Sequence, residues 1–91
     1  MNDLEKKIQL TVNLFSSRKY LEAQKNAEKI ISSHPKIVFL YNILGLILTE
    51  KREIDEAIKI FKKGLSINPN HAMICNNLAT AHKLNENYEV S

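Results

Sequence analysis

Apolar residues recur along this chain at helical spacing. In 38–51, Tyr41, Leu44, Gly45 and Leu48 fall at i, i+3, i+4 and i+7. In 54–67, Ile54, Ala57, Ile58, Phe61 and Leu65 trace the same kind of stripe. That spacing lines one face of a helix. No stretch has the strict alternation that a half-buried strand needs. Polar breaks fall at Ser16–Lys19, Ser33–Lys36, Lys51–Glu53 and Asn68–Asn70. Pro35 and Pro69 sit in two of them, where a missing N–H costs little. Asp3 and Asn68 carry side chains suited to capping a helix start. The pattern predicts five helices of about 12–14 residues and the opening of a sixth, alternating as A1, B1, A2, B2, A3.

The pattern also repeats. A shift of 34 residues aligns Leu10 with Leu44 and Leu78, and pairs Leu14 with Leu48, Arg18 with Arg52 and Glu22 with Glu56. It continues through Ala23 and Ala57, Lys25 and Lys59, Lys29 and Lys63, Ser32 and Ser66, and Pro35 and Pro69. These are nine identities between residues 4–37 and 38–71, where chance gives roughly two. The chain divides into three lead-in residues, two 34-residue units and the first 20 residues of a third, 72–91. It is read as a single domain, 1–91, that is open-ended in the way of a repeat array. The unfinished end is expected to need something else to complete it.

The middle unit resembles the tetratricopeptide repeat, a 34-residue helix-turn-helix. That family's unit has an aromatic, a leucine, a small residue and a bulky residue on helix A. A small residue, an aromatic and another small residue follow on helix B, with a proline after it. Tyr41, Leu44, Gly45, Leu48, Ala57, Phe61, Gly64 and Pro69 supply the whole set. The first unit keeps Leu10, Leu14, Ala23 and Pro35 but has Lys7, Thr11 and Ala27 where the middle unit has Tyr41, Gly45 and Phe61. The third keeps Leu78, Ala79 and Tyr88 but has Cys75 and His82 at packing positions. The resemblance implies an all-α, right-handed solenoid of stacked antiparallel helix pairs, about two and a half repeats long. Both glycines then serve close packing. Gly45 lets helices A and B approach, and Gly64 admits the next repeat's helix A. A packing role offsets the roughly 1 kcal/mol that glycine costs inside a helix.

The resemblance further implies that a protein or peptide binds in the concave groove lined by the A helices. Carried over residue by residue, the groove positions are Glu5, Ile8, Val12 and Phe15 on A1, and Phe39, Asn42, Leu46 and Thr49 on A2. Met73, Asn76, Thr80 and Lys83 follow on A3. Of these, Ile8, Val12, Phe15, Phe39, Asn42, Leu46, Met73 and Asn76 are the candidate partner contacts, suited to an amphipathic helix or apolar segment. One family subtype clamps a C-terminal carboxylate. The corresponding positions here are Ile8, Val12, Ile43, Met73 and Asn77, of which Asn77 alone is polar, so this mode is not expected.

Composition and charge narrow the picture. Hydrophobic residues make up 44% and charged residues 25%, the balance of a globular domain. Net charge is +3. Lys25, Lys29, Lys59, Lys62 and Lys63 form a stripe on the B helices, interspersed with Glu22, Glu28, Asp55 and Glu56. Without interleaved aromatics or a reader motif it is read as a solvated face, not a nucleic-acid surface. The most apolar run, Ile37 to Leu48, contains Asn42 and Gly45 and is too short to span a bilayer. The charged start lacks a signal peptide's apolar core, and the one cysteine, Cys75, cannot make an intramolecular disulfide; a cytoplasmic location is expected. Cys75 is read as a small buried hydrophobe. His34, His71 and His82 lack the spacing of metal ligands, and no nucleophile–base pair or phosphate loop is visible. No metal, no cofactor and no enzyme activity within these residues are therefore expected.

The leading expectation is a non-catalytic interaction module or scaffold. The alternative is self-assembly, as a swapped dimer or head-to-tail filament. It would be completed at a C-terminal end where Ile74, Leu78, Leu84 and Tyr88 seek cover. A further alternative, by resemblance alone, is the substrate-recruiting region of a bacterial glycosyltransferase or sulfotransferase whose catalytic domain lies outside this chain.

Overall fold

The computed structural model describes residues 2–90, with side chains for residues 2–86. Five helices follow one another: α1 (Asp3–Ser16), α2 (Tyr20–Ser33), α3 (Val38–Glu50), α4 (Ile54–Ile67) and α5 (Ala72–Val90). The fold is an all-α helical repeat, and the predicted breaks all appear. The turns inside each repeat span 17–19 and 51–53, and those between repeats span 34–37 and 68–71. Links this short fold each helix back against its predecessor. The helices α1, α3 and α5 touch in that order and form one layer, while α2 packs on α1 and α3, and α4 on α3 and α5. The dimensions, 46 × 28 × 19 Å, are those of a stack and not of a closed globule.

The two turns inside the repeats are built alike. Arg18 and Arg52 adopt φ of 63° and 67°, in the left-handed region. Each is followed by a backbone bond that closes the helix end, Lys19 N–H to Leu14 O and Glu53 N–H to Leu48 O, both at 2.9 Å. Two identical residues 34 positions apart thus perform one backbone task. The third equivalent, Glu86, does not. There α5 runs on unbroken to Val90, so the expected break before a sixth helix is absent among the described residues.

Two capping expectations need correction. The cap of α1 is Asn2, whose Oδ1 accepts the Glu5 N–H at 2.8 Å; Asp3 is already inside the helix. The cap of α5 is His71, whose Nδ1 accepts the Ile74 N–H at 3.3 Å. Asn68 instead ends α4 and turns its side chain to the Asn70 N–H. The cap of α1 thus lies one residue earlier than expected, and that of α5 three residues beyond Asn68.

The core centres on α3 and α4. Leu40, Ile47, Ala57 and Phe61 are fully buried, and Tyr41, Ile43, Leu44 and Leu48 nearly so. Burying an aliphatic or phenyl side chain of this kind is worth about 1.5–3 kcal/mol. Both glycines do what their spacing implied. A Cβ on Gly45 would sit 2.6 Å from ring carbons of Phe61, and one on Gly64 would sit 2.7 Å from Ile74 Cδ1, on the next repeat's helix. Tyr41 is pinned by its hydroxyl, which donates to Pro35 O at 2.6 Å. A single residue of the central helix thereby ties α3 to the turn from the first repeat.

Candidate functional site

The groove positions lie on the layer made by α1, α3 and α5, one helical turn apart along each helix. The structure divides them. Val12 and Phe15 pack on the cluster of Ala23, Ile43 and Ile47, where α1 meets α3. The Phe15 ring also leans on Tyr20, with centroids 5.8 Å apart. Leu46 packs on the main core. These three are half-buried and hold the layer together. Phe39 and Met73 stay open to solvent, 39% and 55% exposed. They occupy equivalent positions one repeat apart, so two large apolar side chains stand exposed on neighbouring helices. Asn76 is exposed and Ile8 is half-buried.

Asn42 differs from its reading as a groove contact. It is 1% exposed, and its Oδ1 accepts a 2.7 Å hydrogen bond from Asn77 Nδ2 on α5. A buried amide without a partner would be costly, and this bond meets that need while fixing α5 against α3. Asn77 is therefore engaged internally as well. Another polar link between repeats lies on the outside, where Lys51 Nζ donates to Gln24 Oε1 at 2.8 Å and pairs with Glu53 at 3.3 Å.

The C-terminal end also differs from its reading. Ile74 is fully buried against Gly64, and Leu78 and Leu84 are half-buried on the core. The side chain of Tyr88 lies outside the described residues. What α5 leaves open is the neighbouring stripe: Ala72, Cys75, Ala79 and His82 are exposed. Cys75 is thus not the buried hydrophobe expected, and His82 does not fill a core position. Both stand where a helix B of the third repeat would pack, as Phe61 of α4 packs on Gly45. At the other end Leu10 is 51% exposed, whereas its counterpart Leu44 is buried in the main core.

Lys25, Lys29, Lys59, Lys62 and Lys63 are all exposed, with Lys59 3.5 Å from Glu56. Among the described residues no group of three His, Cys, Asp or Glu side chains converges as metal ligands would. No described helix is long and apolar enough to cross a membrane.

Residues 40–71 match the family model for the tetratricopeptide repeat, the same stretch whose residues supply the full repeat pattern. Among solved structures, two mutants of MamA share the fold. One is 23% identical with a TM-score of 0.83, over 97% of this chain and 48% of that one. The other is 22% identical with a TM-score of 0.84, over 98% of this chain and 65% of that one. The chain therefore spans half to two thirds of these neighbours' length. No curated protein matches it in sequence.

Proposed function

We propose that this chain is a protein-interaction module, and that the layer of α1, α3 and α5 receives a peptide or helical segment of its partner. The observation that carries the reading is the exposed pair Phe39 and Met73, one repeat apart on adjacent helices. Large apolar side chains left open at repeated positions form a ledge for apolar anchors of a partner. A methionine beside an aromatic adapts to varied side-chain shapes. On α1 the half-buried Ile8 is the further apolar contact in this reading. Asn76, Thr80 and Lys83 offer polar contacts along α5, and all three are exposed. The match of 40–71 to the repeat family supports the same reading, since such repeats generally bind proteins or peptides.

The test uses peptides selected from a random library on the immobilised chain. The doubly substituted protein, Phe39→Ala with Met73→Ala, should bind them at least about tenfold more weakly. Its far-UV circular dichroism should be unchanged, because neither side chain is buried. Unaltered affinity would place the binding surface elsewhere.

A further inference from the structure

The start of α5 is held by a side chain that can take up a proton. His71 is half-buried there, and its Nδ1 accepts the Ile74 N–H at 3.3 Å. Its backbone carbonyl accepts the Cys75 N–H at 3.1 Å. Ile74 is fully buried, and its Cδ1 lies 2.7 Å from where a Cβ on Gly64 would stand. The exposed Met73 lies between His71 and Ile74, in the same turn. One repeat earlier the equivalent helix start is fixed differently. Ile37 stands in place of His71 and makes no side-chain cap, while the Tyr41 hydroxyl ties α3 to the turn through Pro35 O. In the third repeat Cys75 stands in place of Tyr41 and is exposed, so α5 has no such tie to the turn at Pro69. The cap from His71 takes over that task.

Neutral imidazole alone can accept this bond, because both ring nitrogens of the cation are donors. A cation here would also meet the positive end of the α5 dipole. Among the described residues no carboxylate lies within ion-pair distance of His71 to offset it. The helices packed on α5 are α3 and α4. The charged residues in the last two turns of α4 are Lys62 and Lys63, and the one charged residue of α3 is Glu50, at its far end. On α5 the Cys75 thiol lies one turn on, with His82, Lys83 and Glu86 further along, and the turn before α3 carries His34 and Lys36. We infer that His71 is a pH-sensitive latch: neutral, it closes the first turn of α5 and holds Met73 in place; protonated, it lets that turn open. The stabilisation is present well above pH about 6.5, the ordinary imidazole value, and is lost progressively as the pH falls below it. That an opened turn also weakens partner capture rests on the groove reading; the latch itself does not.

Urea melts of the 91-residue chain at about pH 7.5 and about pH 5.0, on either side of the imidazole range, test it. The reference is His71→Asn, since asparagine caps a helix and takes up no proton. Between the two conditions the unfolding equilibrium constant of the parent should rise about fivefold more than that of His71→Asn, the size of one lost cap. His71→Ala has no acceptor in either condition. Its unfolding constant should stand about fivefold above the parent's at the higher pH, and its response to acid should match that of His71→Asn. In the parent the Ile74 amide resonance should move as the His71 imidazole titrates. Equal acid responses of the parent and His71→Asn would overturn the inference, and so would an Ile74 amide that stays fixed while His71 titrates. No partner enters these measurements, so failure of the latch and failure of the groove reading are told apart.

Discussion

Replacing Gly45 with alanine sets two effects of similar size against each other, and the structure decides between them. Alanine is the better helix former by about 1 kcal/mol, so a helix considered alone gains stability. The added methyl would lie 2.6 Å from Cδ1 and Cζ of Phe61. Carbon atoms in contact prefer about 3.5–4.0 Å, so ring and helix must separate by about 1 Å. Phe61 is fully buried and cannot swing into solvent, so the strain spreads through the α3–α4 packing. Overpacking of a filled core costs about 1–3 kcal/mol, and here the clash meets a rigid ring and not a flexible tip. The net effect should be a loss of about 1–2 kcal/mol, or a Tm lowered by about 5–15 °C in a domain of this size. Thermal and urea melts followed by circular dichroism read both quantities. Phe61→Leu alone should also destabilise, by opening a cavity. Combined with Gly45→Ala it should cost less than the two losses added, because each change relieves the other. A Gly45→Ala protein that melts at or above the parent temperature would refute the close-approach argument.

Other outcomes follow from single contacts. Arg18→Gly and Arg52→Gly should each stabilise by about 0.5–1 kcal/mol in urea melts, because glycine adopts the left-handed backbone without the side-chain penalty. A loss at either site would mean that the arginine side chain matters more than its φ. Asn42→Ala should cost about 1–3 kcal/mol by removing the buried acceptor of Asn77. Asn77→Ala should have an effect of the same sign, and the double substitution should be less than additive in the same melts. Tyr41→Phe keeps the ring but loses the bond to Pro35 O, so it should lower stability by about 1 kcal/mol.

Much of the fold was legible because a repeat states its packing twice. The shared Pro35/Pro69 and Arg18/Arg52 positions mark the turns, and the glycine–aromatic spacing marks the contact between α3 and α4. Helix caps were less legible. Asp3 and Asn2 are adjacent and chemically equivalent as caps, so the choice depended on where the backbone enters α1. His71 gave no sequence signal as a cap, since histidine is an uncommon choice there.

The sequence by itself determined the helical period, the order of the five helices and the residues able to face the core. It could do so because helix periodicity and close glycine packing are local or repeat exactly in register. Only the tertiary structure decided what each eligible residue touches. Val12, Phe15 and Leu46 share the spacing of Phe39 and Met73, yet neighbouring helices cover the first group and leave the second open. Asn42 reads as a groove polar group until Asn77, 35 residues away, closes over it. Ile74 and Cys75 are adjacent in sequence, but one points into Gly64 and the other toward solvent. Burial depends on neighbours distant in sequence, and the repeat pattern gives the seats without saying which of them are filled.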